Sequence, residues 1–98
     1  MSHSFRLHPA AQRELDEAAA YYDAEGPGLG AAFIDEVEHA LRQIRTFPEA
    51  ALLARGPVRR KVLSAFPYSV VYSVIDGVVI VLTLAHHRRR PFYWRDRQ

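Results

Sequence analysis

The chain has 98 residues, 49% hydrophobic and 24% charged, a length and balance that suit one domain over residues 1–98 with a small but complete core. It contains no cysteine, which removes disulfide frameworks, zinc thiolate sites and thiol nucleophiles together and fits a reducing, cytoplasmic setting. The net charge of +2 conceals a division, because residues 1–49 hold four basic and nine acidic side chains and residues 50–98 hold nine basic and two acidic ones.

The C-terminal half is therefore expected to face something anionic, either nucleic acid or an acidic protein segment. No apolar run reaches the ~20 residues of a membrane helix, and the opening MSHSFRLHP lacks the apolar stretch of a signal peptide. Neither membrane insertion nor secretion is expected.

Ser4 to Leu7 reads as a short strand. From Pro9 the pattern turns helical, since proline suits the first helical position and Leu15, Ala18, Ala19 and Tyr22 recur at three- and four-residue spacing. This predicts a helix from about Pro9 to Ala24. Gly26-Pro27-Gly28 stops it, and a second helical run follows with Leu29, Phe33, Val37, Leu41 and Ile44 on one face and Asp35, Glu36, Glu38 and Arg42 on the other. Pro48 ends that run, because a residue before proline is pushed out of the α region. So short a link makes the two helices an antiparallel hairpin over a shared core.

Glu49 to Pro57 reads as loop. Val58 to Leu63 reads as a strand with Arg59 and Lys61 on one face and Val58, Arg60 and Val62 on the other. The strongest local signal comes next: two β-branched runs separated by Asp76-Gly77, the sequence of a two-residue type I′ hairpin. A regular hairpin pairs Ile75 with Val78, Ser73 with Ile80, Val71 with Leu82 and Ser69 with Leu84. One face then carries Val70, Tyr72, Val74, Val79, Val81 and Thr83. The other carries Ser69, Val71, Ser73, Ile75, Val78, Ile80, Leu82, Leu84 and His86. Both faces are apolar, and one helical hairpin covers only one of them, so a partner, a second copy or the C-terminal tail must shield the rest.

After the hairpin comes AHHRRRPFYW, where imidazoles, guanidiniums and aromatic rings concentrate. Adjacent histidines on a strand point to opposite faces, so His86 and His87 do not grip one metal, and His3, His8 and His39 lie in unrelated segments; no metal and no cofactor are expected. Phe92, Tyr93 and Trp94 offer stacking surface, but aromatic residues after a strand more often fold back onto the core. For His86 the plain alternative to a functional role is a strand-end imidazole bonded to backbone.

The order of strand, two helices and three strands, together with PGLGAAFIDEVEHAL, FPYSVVYSV and HHRRRPFYW, resembles the RelE/ParE superfamily of toxins from type II toxin-antitoxin pairs over nearly the whole chain. The resemblance implies an α+β fold with an N-terminal strand, an antiparallel helical hairpin and then a three-stranded antiparallel sheet. It also implies a growth-inhibiting protein made with a cognate antitoxin whose C-terminal segment wraps and blocks it in a hetero-oligomer. RelE-like members cleave messenger RNA on the ribosome, using basic residues and a late His or Tyr; ParE-like members inhibit DNA gyrase. The fold alone does not choose between these activities, and a non-toxic interaction module is a third reading.

RNA cleavage through the 2′-hydroxyl needs a base, an acid and cations around the phosphate. On that reading the inventory is His86 or His87 for proton transfer, Arg59, Lys61 and Arg88 for the phosphate, and Tyr93 for stacking or protonation. Nucleases of the family commonly place a basic residue on the third strand facing the late catalytic residue, and the corresponding place here is Ser69, expected beside His86. This departure and the long helical hairpin with its PGLG link favour the ParE-like branch, with DNA gyrase as target by non-covalent binding and no catalytic residue. The surface expected to meet target or antitoxin comprises Arg59, Arg60, Lys61, Ser69, Val71, Ser73, His86, His87, Arg88, Arg89, Arg90, Tyr93 and Trp94.

Overall fold

The computed structural model describes residues 3–97. In chain order it contains β1 (Ser4–Leu7), α1 (Pro9–Glu25), α2 (Leu29–Thr46), β2 (Leu52–Arg55), β3 (Val58–Val62), β4 (Tyr68–Ile75), β5 (Val78–His86) and a 3-10 turn, Arg95–Arg97. The strands form one sheet in the order β1-β5-β4-β3-β2. Two details differ from the sequence expectation. The sheet is mixed, because β1 runs parallel to β5, and the expected loop at residues 49–57 contains β2, paired antiparallel with β3.

Both helices start and stop for local reasons. Pro9 opens α1, and the His8 imidazole caps it by accepting from the Ala10 amide at 3.1 Å, which satisfies a donor that has no partner within the helix. Asp23 then reaches across the link, its Oδ1 accepting from the Gly30 amide at 2.9 Å, so the end of one helix caps the start of the next. The backbones approach so closely there that a Cβ on Gly30 would lie 2.5 Å from the Ala19 carbonyl oxygen. Gly28, at φ +81°, makes the turn in the left-handed region that favours glycine.

Most of the core lies between the helices and one face of the sheet. Phe33, Val37, Ala40, Leu41 and Ile44 of α2 and Ala11 and Ala18 of α1 are buried against Leu63, Val70, Tyr72, Val79, Val81 and Leu84. Phe33 sits at its centre, with ring centroids 5.1–5.3 Å from Tyr22, Phe66 and Tyr68. Leu29 was expected on the same stripe but is 40% exposed, because it lies at the helix entrance beyond the sheet.

The hairpin turn matches expectation, with Asp76 at φ +51° and Gly77 at φ +77°, and the register holds from Ile75↔Val78 through Tyr72↔Val81. It then slips by one residue, since Val71 pairs with Thr83 and Leu82 is left as the extra residue of a bulge. Every β5 side chain after the bulge is therefore on the face opposite to the one a regular ladder assigns it, while β4 keeps its alternation. Leu84 joins the helix-side core, Ala85 pairs with Ser69, and His86 pairs with Tyr68. The expected neighbours Ser69 and Leu84, and Ser69 and His86, are thereby corrected.

The second face of the sheet is covered by the chain's own tail. Val58, Val71, Leu82 and Trp94 form a buried cluster, with Ala54, Ile80, Ala85, Phe92 and Tyr93 packed around it. The aromatic residues do fold back, as their position after a strand suggests. Phe92, at φ +60°, redirects the chain through a left-handed step, an uncommon conformation for a bulky residue. Its ring is held against Trp94 at 5.9 Å and under the Arg55 guanidinium at 5.2 Å.

Candidate functional site

Three layers meet at the C-terminal end of β5: the strand end itself, the arginine run and the returning tail. His87 turns toward the tail side, where its Nε2 lies 3.1 Å from the Ser69 Oγ. His86 turns toward the helices, its ring packed edge-on against Tyr68 at 5.0 Å and its Nδ1 accepting from the Arg88 amide at 3.0 Å. His86 is thus the backbone-bonded strand-end imidazole, and the partner of Ser69 is His87 because of the bulge at Leu82.

The cations divide in the same manner. Arg59 and Lys61 pair with Tyr72 and Val70, on the helix side, whereas Arg60 pairs with Val71 on the tail side. Arg59 is also engaged as a structural group, its Nη1 donating to the carbonyls of Glu49 and Ala51 at 3.0 and 2.7 Å. The set that comes together with His87 is therefore Arg60, Arg89 and Arg90, which line a recess of about 310 Å³ together with Phe92, Tyr93 and Trp94, and His86 also borders it. Arg59 and Lys61 do not join it, and Arg88 is exposed.

Tyr93 is committed elsewhere. Its hydroxyl lies within hydrogen-bonding reach of Thr83 Oγ1 and of Glu14 Oε2, the latter at 3.2 Å. Thr83 Oγ1 in turn donates to Glu14 Oε1 at 2.8 Å. Arg97 closes the network, donating from Nη1 to Glu14 Oε1 and to the Leu82 carbonyl, both at 2.9 Å. Burial raises the Tyr93 phenol above its ordinary value of 10.0, and the Glu14 carboxylate adds to this while the Thr83 hydrogen bond and Arg89 oppose it. The result is a phenol held protonated as a structural pin, with the Arg89 guanidinium 3.9 Å from its ring centre. Glu14 was absent from the sequence reading, and its partners lie 69 to 83 residues away, so no local pattern announces it.

Four residues expected at a contact surface are buried: Ser69, Val71, Ser73 and Trp94, at 1–4% exposure. Val71 and Trp94 belong to the core beneath the tail, and the Ser73 hydroxyl is enclosed without a hydrogen-bond partner among the described residues. The accessible part of the expected surface is Arg60, His87, Arg88, Arg89 and Arg90. No group of three metal-ligating side chains lies together among the described residues, and no helix among them is long and apolar enough to cross a membrane.

An N-terminal strand, two helices on one face of the sheet and then antiparallel strands is the α+β architecture of RelE/ParE-like toxins. A family model described as the ParE toxin of the type II toxin-antitoxin system, parDE, matches residues 5–91, and the chain belongs to that family. Among solved structures, the chain is similar to the chromosomal ParDE toxin-antitoxin system from P. aeruginosa, with a TM-score of 0.75, 16% identity, and coverage of 87% of this chain and 96% of that one. It is also similar to a mutant of the E. coli toxin RelE in the free state, with a TM-score of 0.65, 22% identity, and coverage of 90% and 86%. At these identities the two structures speak to the fold. No curated protein matches the sequence.

Proposed function

We propose that this toxin inhibits DNA gyrase by non-covalent binding through its exposed basic C-terminal surface, acts in the cytoplasm, and is silenced by a cognate antitoxin with which it forms a hetero-oligomer. The observation that carries this reading is the commitment of the groups a nuclease would need. Tyr93 is pinned by Thr83 and Glu14, Arg59 by two backbone carbonyls and His86 by the Arg88 amide, while Ser69 occupies the place where a phosphate-binding cation would face the late histidine. What stays exposed is the run Arg88-Arg89-Arg90, suited to an anionic surface.

One feature favours the second reading, ribosome-dependent RNA cleavage: His87 shares its recess with Arg60, Arg89 and Arg90. The two separate in one experiment. Gyrase supercoiling should fall as purified toxin is added, and the joint charge reversal Arg88→Glu and Arg90→Glu should weaken inhibition by about tenfold or more, whereas His87→Ala should leave it intact. Unimpaired supercoiling together with His87-dependent transcript cleavage in a translation extract would replace inhibition by nuclease activity.

A further inference from the structure

The arginines of this chain differ in what occupies their donors. Arg45 bonds the His3 carbonyl at 2.7 Å, Arg59 bonds the carbonyls of Glu49 and Ala51, and Arg97 forms an ion pair with Glu14 at 2.9 Å. That pair is the only one among the described residues. Arg60, Arg89 and Arg90 instead line a single recess in which no carboxylate takes part. Like charges around one recess repel, and a bound anion relieves the repulsion.

The aromatic residues bear on which anion fits. Tyr93 has the Arg89 guanidinium 3.9 Å from its ring centre and that of Arg97 at 5.3 Å. Phe92 has the Arg55 guanidinium at 5.2 Å, and Trp94 is only 4% exposed. These rings hold cations in place, so a nucleobase stacking on Tyr93 or Phe92 would compete with a guanidinium already there. The recess offers charge without a free stacking surface. Beside the arginines, the buried Ser69 hydroxyl lies 3.1 Å from His87 Nε2 and steadies the imidazole at the recess. The volume of about 310 Å³ lies at the lower end of what small-ligand sites enclose.

We infer that the arginine recess binds a dianionic terminal phosphate, that of inorganic phosphate or of a small phosphate monoester, through Arg60, Arg89 and Arg90 and without reading any base attached to it. A terminal phosphate carries about two negative charges and three acceptor oxygens at neutral pH. The diester of a nucleic-acid backbone carries about one charge per phosphate, so it neutralises three guanidiniums less completely. Arginine's planar fork suits phosphate oxygens in particular. The inference is independent of the target on which the toxin acts.

Calorimetric titration of the purified full chain at low salt tests it, with inorganic phosphate, adenosine 5′-monophosphate, cytidine 5′-monophosphate, adenosine and dimethyl phosphate as probes. The two nucleotides should bind within about threefold of one another, and adenosine should not bind. Dimethyl phosphate, the diester, should bind about tenfold or more weakly than either nucleotide. Inorganic phosphate matching the nucleotides would assign the site to the phosphate group alone, and tighter binding of both nucleotides would assign it to esterified metabolites; either result upholds the inference. Arg60→Gln and Arg89→Gln should each weaken nucleotide binding about tenfold, whereas Arg42→Gln, which removes the same charge from α2, should leave it unchanged. All three side chains are exposed, and circular dichroism checks that each variant is folded. Absence of phosphate binding, preference for one base, equal affinity for the diester, or indifference to both recess substitutions overturns the site.

Discussion

The two faces of the sheet are held by different physics. On the helix side, stability comes from a contiguous apolar cluster around Phe33, whose members share faces of α1, α2 and the central strands. On the tail side the apolar cluster is small, and its cover is fastened by a polar network in which Glu14 of α1 grips Thr83, Tyr93 and Arg97. An apolar core is tolerant of conditions and forms with the rest of the fold. The strap is also seated by Trp94 and by Arg97 on the Leu82 carbonyl, but its reliance on one carboxylate leads us to expect it to loosen before that core, and it carries the aromatic lining of the candidate site.

Phe33→Ala should be the most damaging change, at about 3–5 kcal/mol, because it empties the centre of the larger core. Urea denaturation should show it as a lower midpoint for the whole domain. A loss under 1 kcal/mol would break the claim that this face dominates. Glu14→Ala should cost about 1–3 kcal/mol, since it strands three hydrogen-bonding partners at once, and it should act locally. Hydrogen exchange should quicken at residues 92–97 while amides of α2 and β4 keep their protection. Uniform loss of protection would show that the two faces unfold as one unit.

Gly30→Ala should cost about 1–2 kcal/mol, as the clash with the Ala19 carbonyl outweighs the better helix propensity of alanine. It tests the helix hairpin rather than the strap, so it should leave exchange at the tail unchanged. The smallest effect is on pH. Burial raises the phenols of Tyr22, Tyr68, Tyr72 and Tyr93 above 10.0. A group whose pKa is higher in the folded state stabilises fully below its unfolded value, and that contribution is lost as pH climbs through the folded one. Stability from these groups should hold up to about pH 10 and fall above it. Ultraviolet titration of tyrosinate should show ionisation delayed beyond that of the free phenol. A normal titration of the phenols would remove the burial assigned to them.

Elements with a strong local signature were legible in the sequence. The helices follow from their periodicity and from the Gly26-Pro27-Gly28 stop, and the Asp76-Gly77 turn fixes register for the four pairs nearest to it. Legibility failed where the information is nonlocal. The run Val81-Leu82-Thr83-Leu84 is apolar on both sides, so nothing in it marks the residue that bulges, and the assignment of Thr83, Leu84 and His86 to faces was reversed beyond it. Strand β2 was missed because four residues between Pro48 and Gly56-Pro57 carry no periodicity, and only pairing with β3 makes them a strand. Of the candidate site, the basic run and the return of the aromatic residues were readable, whereas the grouping of Arg60 with His87 depends on the bulge, and the Glu14 clamp depends on contacts 69 or more residues apart.

The unpaired Leu82 works as a parity switch. Removing that one residue would restore an even ladder and exchange the imidazoles of His86 and His87 between the two sides of the sheet, altering the chemistry of the arginine recess without substituting any residue in it. A single-codon deletion in the cluster beneath the recess would thus change what the strand end presents.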